Sequence, residues 1–98
     1  MTDFLVVAGI SIDTIDEIKK NNNLLFELYS NKEEVIAICN YLRKIGVNNI
    51  DDIIIYRPDM FLETESSVNY YFSKFEIKDI VNKINEDYLN IDLVLNKE

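Results

Sequence analysis

The sequence predicts an all-helical fold, and three observations support that prediction. Apolar residues recur at helical spacing along residues 35 to 45. Gly46 follows this pattern directly, and glycine is the usual residue after a helix end. An order of helix, small turn, short helix and break occurs about three times, at offsets of about 30 to 37 residues. We therefore expect a short stack of helix-turn-helix repeats of that length.

The amino-terminal third of the chain supports this reading with weaker patterns. Residues 2 to 10 have a polar start and an apolar run that stops at Gly9. Residues 11 to 22 carry acids in their first turn and lysines in their last, an order that suits the helix dipole. Three asparagines, at 21 to 23, end this segment.

Capping residues and breaks divide the rest of the chain. Ser30 and Glu33 have the spacing of a capping box, which predicts the start of a helix that runs to residue 45. Pro58 ends the isoleucine-rich segment that follows, because proline cannot continue a helix. Residues 64 to 67 offer another cap, and two more apolar faces of helical spacing follow it.

A mixed α/β fold with a small three- to four-stranded sheet is the alternative. Periodicity alone leaves four apolar runs open between helix, strand and irregular structure, namely residues 4–10, 24–29, 52–56 and 91–95. The tail, residues 89 to 98, reads as a strand or an irregular end. The last two helical segments would have to follow each other without a strand between them, so we prefer the all-helical fold. We expect one compact domain over residues 1–98.

The middle of the chain carries a motif, with YLRKIGV at 41–47, IDDIII at 50–55 and RPDMFL at 57–62. It resembles the repeats of the mitochondrial transcription termination factor family, in which a helix ends in a Leu-Gly-hydrophobic turn before a second helix and a proline with hydrophobic residues. The resemblance covers mainly residues 35–84, and a weaker copy lies at 5–28.

This resemblance implies a curved stack of helices that, in the family, grips nucleic acid through a basic concave face. The present chain departs from that pattern in charge and length, since it is acidic and shorter than family members. Its third copy also has Glu76 in place of Gly46 and Tyr88 in place of Pro58.

Composition narrows the function classes. The net charge is −8, which solubility alone explains and which, as a sharper interpretation, suggests a basic partner or avoidance of nucleic acid. Cys39 is the single cysteine, so no internal disulfide forms, and we expect a buried thiol in a reducing compartment. No apolar run approaches the ~20 residues of a membrane span. We expect a cytoplasmic protein without a membrane association.

No pattern in the sequence indicates catalysis. The chain has no histidine, which removes the usual general base and the Ser-His-Asp arrangement. Neighbouring carboxylates such as Asp51 and Asp52 diverge on a helix and read as first-turn charges or a solvated face. We expect no enzyme activity, no metal site and no cofactor; an α/β enzyme remains a third hypothesis that requires a sheet.

Two features suggest binding: aromatic residues concentrated in the middle of the chain, and arginines and lysines near them. The candidate interaction surface comprises Tyr41, Arg43, Lys44, Tyr56, Arg57, Tyr70 and Lys74. The favoured function is a non-catalytic protein–protein interaction module, an acidic adaptor, inhibitor or immunity-type protein. The alternative is a nucleic-acid-binding repeat protein that uses Arg43, Lys44 and Lys74. Apolar end faces of a short stack also predict homo-oligomer formation.

Overall fold

The computed structural model describes residues 1–95, of which 78% are helical, and it contains no strand in that range. The α-helices are α1 (Asp3–Val7), α2 (Ile12–Lys19), α3 (Asn22–Ser30), α4 (Lys32–Ile45), α5 (Ile50–Tyr56), α6 (Glu65–Phe72), α7 (Ile77–Glu86) and α8 (Asp92–Leu95). Two 3₁₀-helices, Pro58–Leu62 and Tyr88–Ile91, follow α5 and α7. The prediction of an all-α fold is confirmed.

The alternative with a sheet is wrong, because the four apolar runs that it required lie in helices or their turns. The run from 52 to 56 shows the reason. Ile50, Ile53 and Ile54 are buried while Ile55 is 42% exposed, a helical rather than an alternating pattern. The run from 91 to 95 lies in the second 3₁₀-helix and α8. The last residues of the predicted tail, 96 to 98, lie outside the described residues.

Side-chain caps start most of the longer helices. Ser11, Asn21, Thr64 and Glu76 each accept a hydrogen bond from a backbone N–H in the first turn of α2, α3, α6 and α7. The predicted capping box at Ser30 is wrong, since Ser30 is the last residue of α3 and Asn31 precedes α4. The Asn31 amide instead donates to the carbonyls of Phe61 and Glu63, at 3.0 and 3.1 Å.

Two glycines end helices with the same hydrogen-bond pattern. Gly9 and Gly46 have φ angles of +84° and +106°, in the left-handed region that favours glycine. The next residue of each turn donates back five positions, Ile10 N to Leu5 O at 3.0 Å and Val47 N to Leu42 O at 2.9 Å. This is the Schellman arrangement, which turns the chain sharply, and after Gly46 it lets α5 pack back on α4.

The same order of elements occurs twice at an offset of 30 residues. We call α4, α5 and the first 3₁₀-helix the central unit, and α6, α7 and the second 3₁₀-helix the C-terminal unit. The matched pairs Leu42 and Phe72, Ile50 and Ile80, Ile54 and Ile84, and Phe61 and Ile91 are all buried. Helix α4 is the hub of the packing, since it contacts α1, α3, α5 and α6.

Asparagine side chains link the two units. The Asn85 amide donates to Gly46 O at 2.9 Å, and its Oδ1 accepts from Asn48 N at 2.9 Å. The Asn49 amide donates to Ile84 O at 2.8 Å. The Asn85 side chain thereby satisfies two backbone groups of the turn after α4, and the Asn49 side chain satisfies a backbone carbonyl of α7. They hold the α4–α5 turn of the central unit against α7.

Candidate interaction surface

The seven candidate residues fall into local groups at different places on the molecule. Arg43, on α4, reaches back to the amino-terminal helices, where Nη2 donates to Ala8 O at 2.7 Å. Nη1 donates to Asn40 Oδ1 at 3.4 Å. The guanidinium therefore closes the last turn of α1, whose backbone carbonyl would otherwise lack a helical partner. Lys44, the next residue, is exposed.

Tyr56 and Arg57 form a second group with Asp92 of α8. The Tyr56 hydroxyl donates to Asp92 Oδ2, and this hydrogen bond raises the pKa of the phenol. Arg57 Nη1 donates to Asp92 Oδ1 at 2.5 Å, while Nε and Nη2 donate to the two carboxylate oxygens of Asp59 at 3.1 and 3.0 Å. The Asp59 hydrogen bonds are the main reason that the pKa of Arg57 is raised and that the pKa of Asp59 is lowered. We call these four residues the Asp92 clasp.

Tyr70 and Lys74 form a third group on α6 and the turn after it. The Lys74 ammonium lies 4.8 Å from the centre of the Tyr70 ring, a cation–π contact on a ring that is 60% exposed. Tyr41 packs nearer the core, with its ring edge against Phe72 at 5.9 Å between centroids. Burial, and next the charge of Glu65, raise the pKa of the Tyr41 hydroxyl.

A groove between α2 and α5 is lined by residues that the sequence patterns assigned to separate helices. Its volume is about 530 Å³. Four carboxylates line it, Asp13 and Glu17 from α2 and Asp51 and Asp52 from α5, together with Ile55, Tyr56 and Tyr88. The Tyr56 and Tyr88 rings meet edge to face at 5.7 Å. Sequence spacing assigned these acids to separate helix starts, and only the packing of α2 against α5 brings them together.

A second, larger cleft of about 750 Å³ lies beside this groove at the two glycine turns. Gly9, Arg43 and Asn48 line it, and so do Asp51 and Asp52, which face both spaces. Because Arg43 supplies a positive charge here, this cleft is less acidic than the α2–α5 groove. Asp51 and Asp52 border both spaces, so they belong to the Arg43 cleft as well as to the α2–α5 groove.

Cys39 is buried, and the acidic side chains of the described residues form no metal-ligating group. Burial raises the pKa of the Cys39 thiol to about 12, so its nucleophilic thiolate form is scarce at neutral pH. No group of three or more acidic or cysteine side chains within residues 1–95 is placed to hold a metal ion. No helix in the same range has the length and hydropathy needed to cross a membrane.

Exposed apolar side chains also gather near the amino terminus. Val6 and Val7 of α1 are 56% and 67% exposed, and Phe26 of α3 is 61% exposed. Helices α1 and α3 are linked by the edge-to-face contact of Phe4 with Tyr29, whose centroids are 6.0 Å apart. Val6, Val7 and Phe26 are therefore exposed apolar side chains on two helices that touch through an aromatic contact.

Comparison with known proteins adds no relative to this description. No protein-family model, no curated protein and no solved structure matches the chain.

Proposed function

We propose that this protein is a non-catalytic interaction module whose acidic surface binds a basic partner protein. The proposal rests on a comparison of which cationic and which acidic side chains have partners within the chain. Five of the nine cationic side chains within residues 1–95 contact other groups of the same chain: Lys20 meets Glu17, Lys32 lies over Tyr29, Arg43 meets Ala8, Arg57 meets Asp59 and Asp92, and Lys74 lies over Tyr70.

Three of the four carboxylates of the groove are used differently, while the fourth, Glu17, pairs with Lys20. Asp13, Asp51 and Asp52 form no salt bridge with any side chain of residues 1–95. With a net charge of −8, these groups present an uncompensated negative field to the surroundings. Such a field accelerates association with a basic protein and weakens as salt is added. An inhibitor, an immunity-type protein or an adaptor in the cytoplasm would each use it in this way.

Affinity capture at two salt concentrations tests the proposal. The full chain is immobilised, captured proteins are identified by mass spectrometry, and each is purified and titrated against the chain. We expect a basic protein whose affinity falls at least about ten-fold between 50 and 300 mM salt, because the attraction is electrostatic. Recovery of only neutral or acidic proteins, or an affinity that salt leaves unchanged, would contradict the proposal.

Nucleic-acid binding is the second candidate, and the recurring order of elements in the central and C-terminal units supports it through the family resemblance. Of its three proposed contacts, Lys44 and Lys74 are exposed, while Arg43 is engaged with α1. A gel-shift series with single- and double-stranded nucleic acid tests this role. It predicts a shift at low salt that Lys44→Ala with Lys74→Ala removes, and the absence of any shift would exclude it.

A further inference from the structure

The walls of the α2–α5 groove have a regular spacing. Asp13 and Glu17 lie four residues apart on α2, so their side chains project from the same face about one turn apart. On α5 the same interval separates Asp52 from Tyr56, and Asp51 from Ile55. Each row on α5 therefore pairs a carboxylate with an apolar or aromatic side chain one turn further on.

The apolar part of the groove is open to solvent. Ile55 is 42% exposed and Tyr56 is 37% exposed, although both belong to a helix whose other isoleucines are buried. Tyr88, from the second 3₁₀-helix, extends this surface through its ring contact with Tyr56. Exposed apolar side chains that line a groove between two helices are a common docking surface for a third helix.

We propose that this groove binds a positively charged amphipathic helix of the partner protein, an inference that rests on the proposed function. One apolar side chain of the incoming helix packs against Ile55, Tyr56 and Tyr88. Lysine or arginine residues three or four positions away reach Asp13 and Glu17, because these two carboxylates are one helical turn of about 5.4 Å apart on α2, and another reaches Asp51 or Asp52 on the opposite wall. The apolar contact provides burial, and the carboxylates select the charge of the partner.

Charge and shape favour this occupant over others. A second copy of the chain carries the same net charge of −8, so its acidic surface would be repelled from the groove. The phosphates of a nucleic acid would be repelled for the same reason. The four carboxylates belong to no cluster suited to a metal ion within residues 1–95. A basic amphipathic helix can pair its cations with the wall carboxylates and pack its apolar side chains against Ile55, Tyr56 and Tyr88.

The probe is a synthetic helical peptide of about five turns with leucine on one face and lysine on the flanking positions. Its control has the same composition in an order that creates no apolar face. Binding of each labelled peptide to the full chain is measured by fluorescence anisotropy at low salt. We expect the patterned peptide to bind about ten-fold more tightly than the control, because only it presents leucine and lysine together to the groove.

Two pairs of variants locate the binding site. Asp13→Asn with Asp52→Asn neutralises one carboxylate on each wall, and neither carboxylate carries a hydrogen bond or salt bridge within residues 1–95. Asp3→Asn with Asp79→Asn is the matched control, because these are also first-turn aspartates but lie outside the groove. We expect about a ten-fold loss of affinity for the first pair and less than about two-fold for the second, since close charges contribute most. Ile55→Ser should weaken binding about five-fold without a change of charge.

Three outcomes would overturn the groove assignment. Equal losses for both aspartate pairs would place the binding elsewhere on an acidic surface and leave the proposed function standing. Equal affinity of the two peptides would exclude a helical ligand and again leave the proposed function standing. Failure of both peptides to bind would exclude the groove, whereas the proposed function fails only if the salt-dependent capture of a basic protein fails too. Far-UV circular dichroism of each variant confirms that it is folded before its affinity is compared.

Discussion

The central and C-terminal units share a register but differ in which faces they bury. Where both units face the common core the residues match, as Ile54 and Ile84 do, and both are fully buried. Ile53 of the central unit is also fully buried, whereas its counterpart Lys83 is exposed. The central unit packs against the amino-terminal helices on one side and the C-terminal unit on the other. Ile54 and Ile84 match because both face the common core. Ile53 and Lys83 differ because the central unit has neighbours on both sides.

Exchanging Ile53 and Lys83 between the two units should give the largest effect on the free energy of unfolding. Ile53→Lys places an unpaired charge in the core, and we expect a loss of more than about 4 kcal/mol in the free energy of unfolding. Lys83→Ile changes an exposed position, so we expect a change within about 0.5 kcal/mol. Urea unfolding followed by circular dichroism measures both. If the lysine variant does not fold, Ile53→Ala replaces it, with an expected loss of about 2 to 5 kcal/mol in the free energy of unfolding. Similar losses at 53 and 83 would contradict the comparison.

The turns after α1, α4 and α6, here called the amino-terminal, central and C-terminal turns, provide a second contrast. The amino-terminal and central turns contain Gly9 and Gly46 at positive φ, while the C-terminal turn uses Ser73, whose hydroxyl donates to Tyr70 O at 2.6 Å. Gly46→Ala should cost about 1 to 2 kcal/mol, because a left-handed conformation is unfavourable for alanine. A Cβ at Gly46 would meet only Val81, at 3.5 Å, in ordinary contact.

Gly9→Ala should cost more than Gly46→Ala. A Cβ at residue 9 would lie 2.6 Å from Arg43 Nη2, so the guanidinium must move from its hydrogen bond with Ala8 O. We expect about 1 kcal/mol beyond the backbone cost. Thermal or urea unfolding of Gly9→Ala in the presence and absence of Arg43→Ala separates the two parts. If the cost of Gly9→Ala is the same in both backgrounds, the displacement of Arg43 does not contribute.

Helix positions could be predicted from the sequence because they depend on neighbours along the chain. The apolar spacing before Gly46 predicts the end of α4 at Ile45, whereas the capping box that marked its start was wrong. The links between elements could not be predicted in this way. Asn85 and Gly46 are 39 residues apart, and no local pattern distinguishes Asn85 from the other asparagines among the twelve of the sequence.

The candidate surface shows the same limit. Aromatic and basic residues were grouped because they are close along the chain. In the structure, however, Arg43 donates to Ala8 O after α1, and Arg57 donates to Asp92. The acidic groove combines residues about 40 positions apart, and each of its acids alone has the ordinary explanation of a first-turn charge. The packing of α2 on α5 was the information that the sequence lacked.

Asn85 tests the link between the two units. Asn85→Ala removes the bonds to Gly46 O and Asn48 N, so we expect a loss of about 1 to 2 kcal/mol in the free energy of unfolding. Asn82→Ala is the matched control, because Asn82 lies on the same helix with an exposed side chain. We expect the control to change stability by less than about 0.5 kcal/mol. A control as costly as Asn85→Ala would assign the effect to α7 itself.

The Asp92 clasp should contribute the smallest effect, and one that depends on pH. Because Arg57 lowers the pKa of Asp59, the stabilisation is present above the unfolded pKa of the carboxyl and is lost as the pH falls through the lower folded pKa. The Asp59 side chain is 59% exposed, so solvent screening limits the contribution to less than about 1 kcal/mol. Urea unfolding of the protein and of Asp59→Asn at about pH 6 and about pH 2.5 measures it. The two proteins should differ at the higher pH and converge at the lower one, and a difference that persists in acid would show that Asp59 acts through packing rather than charge.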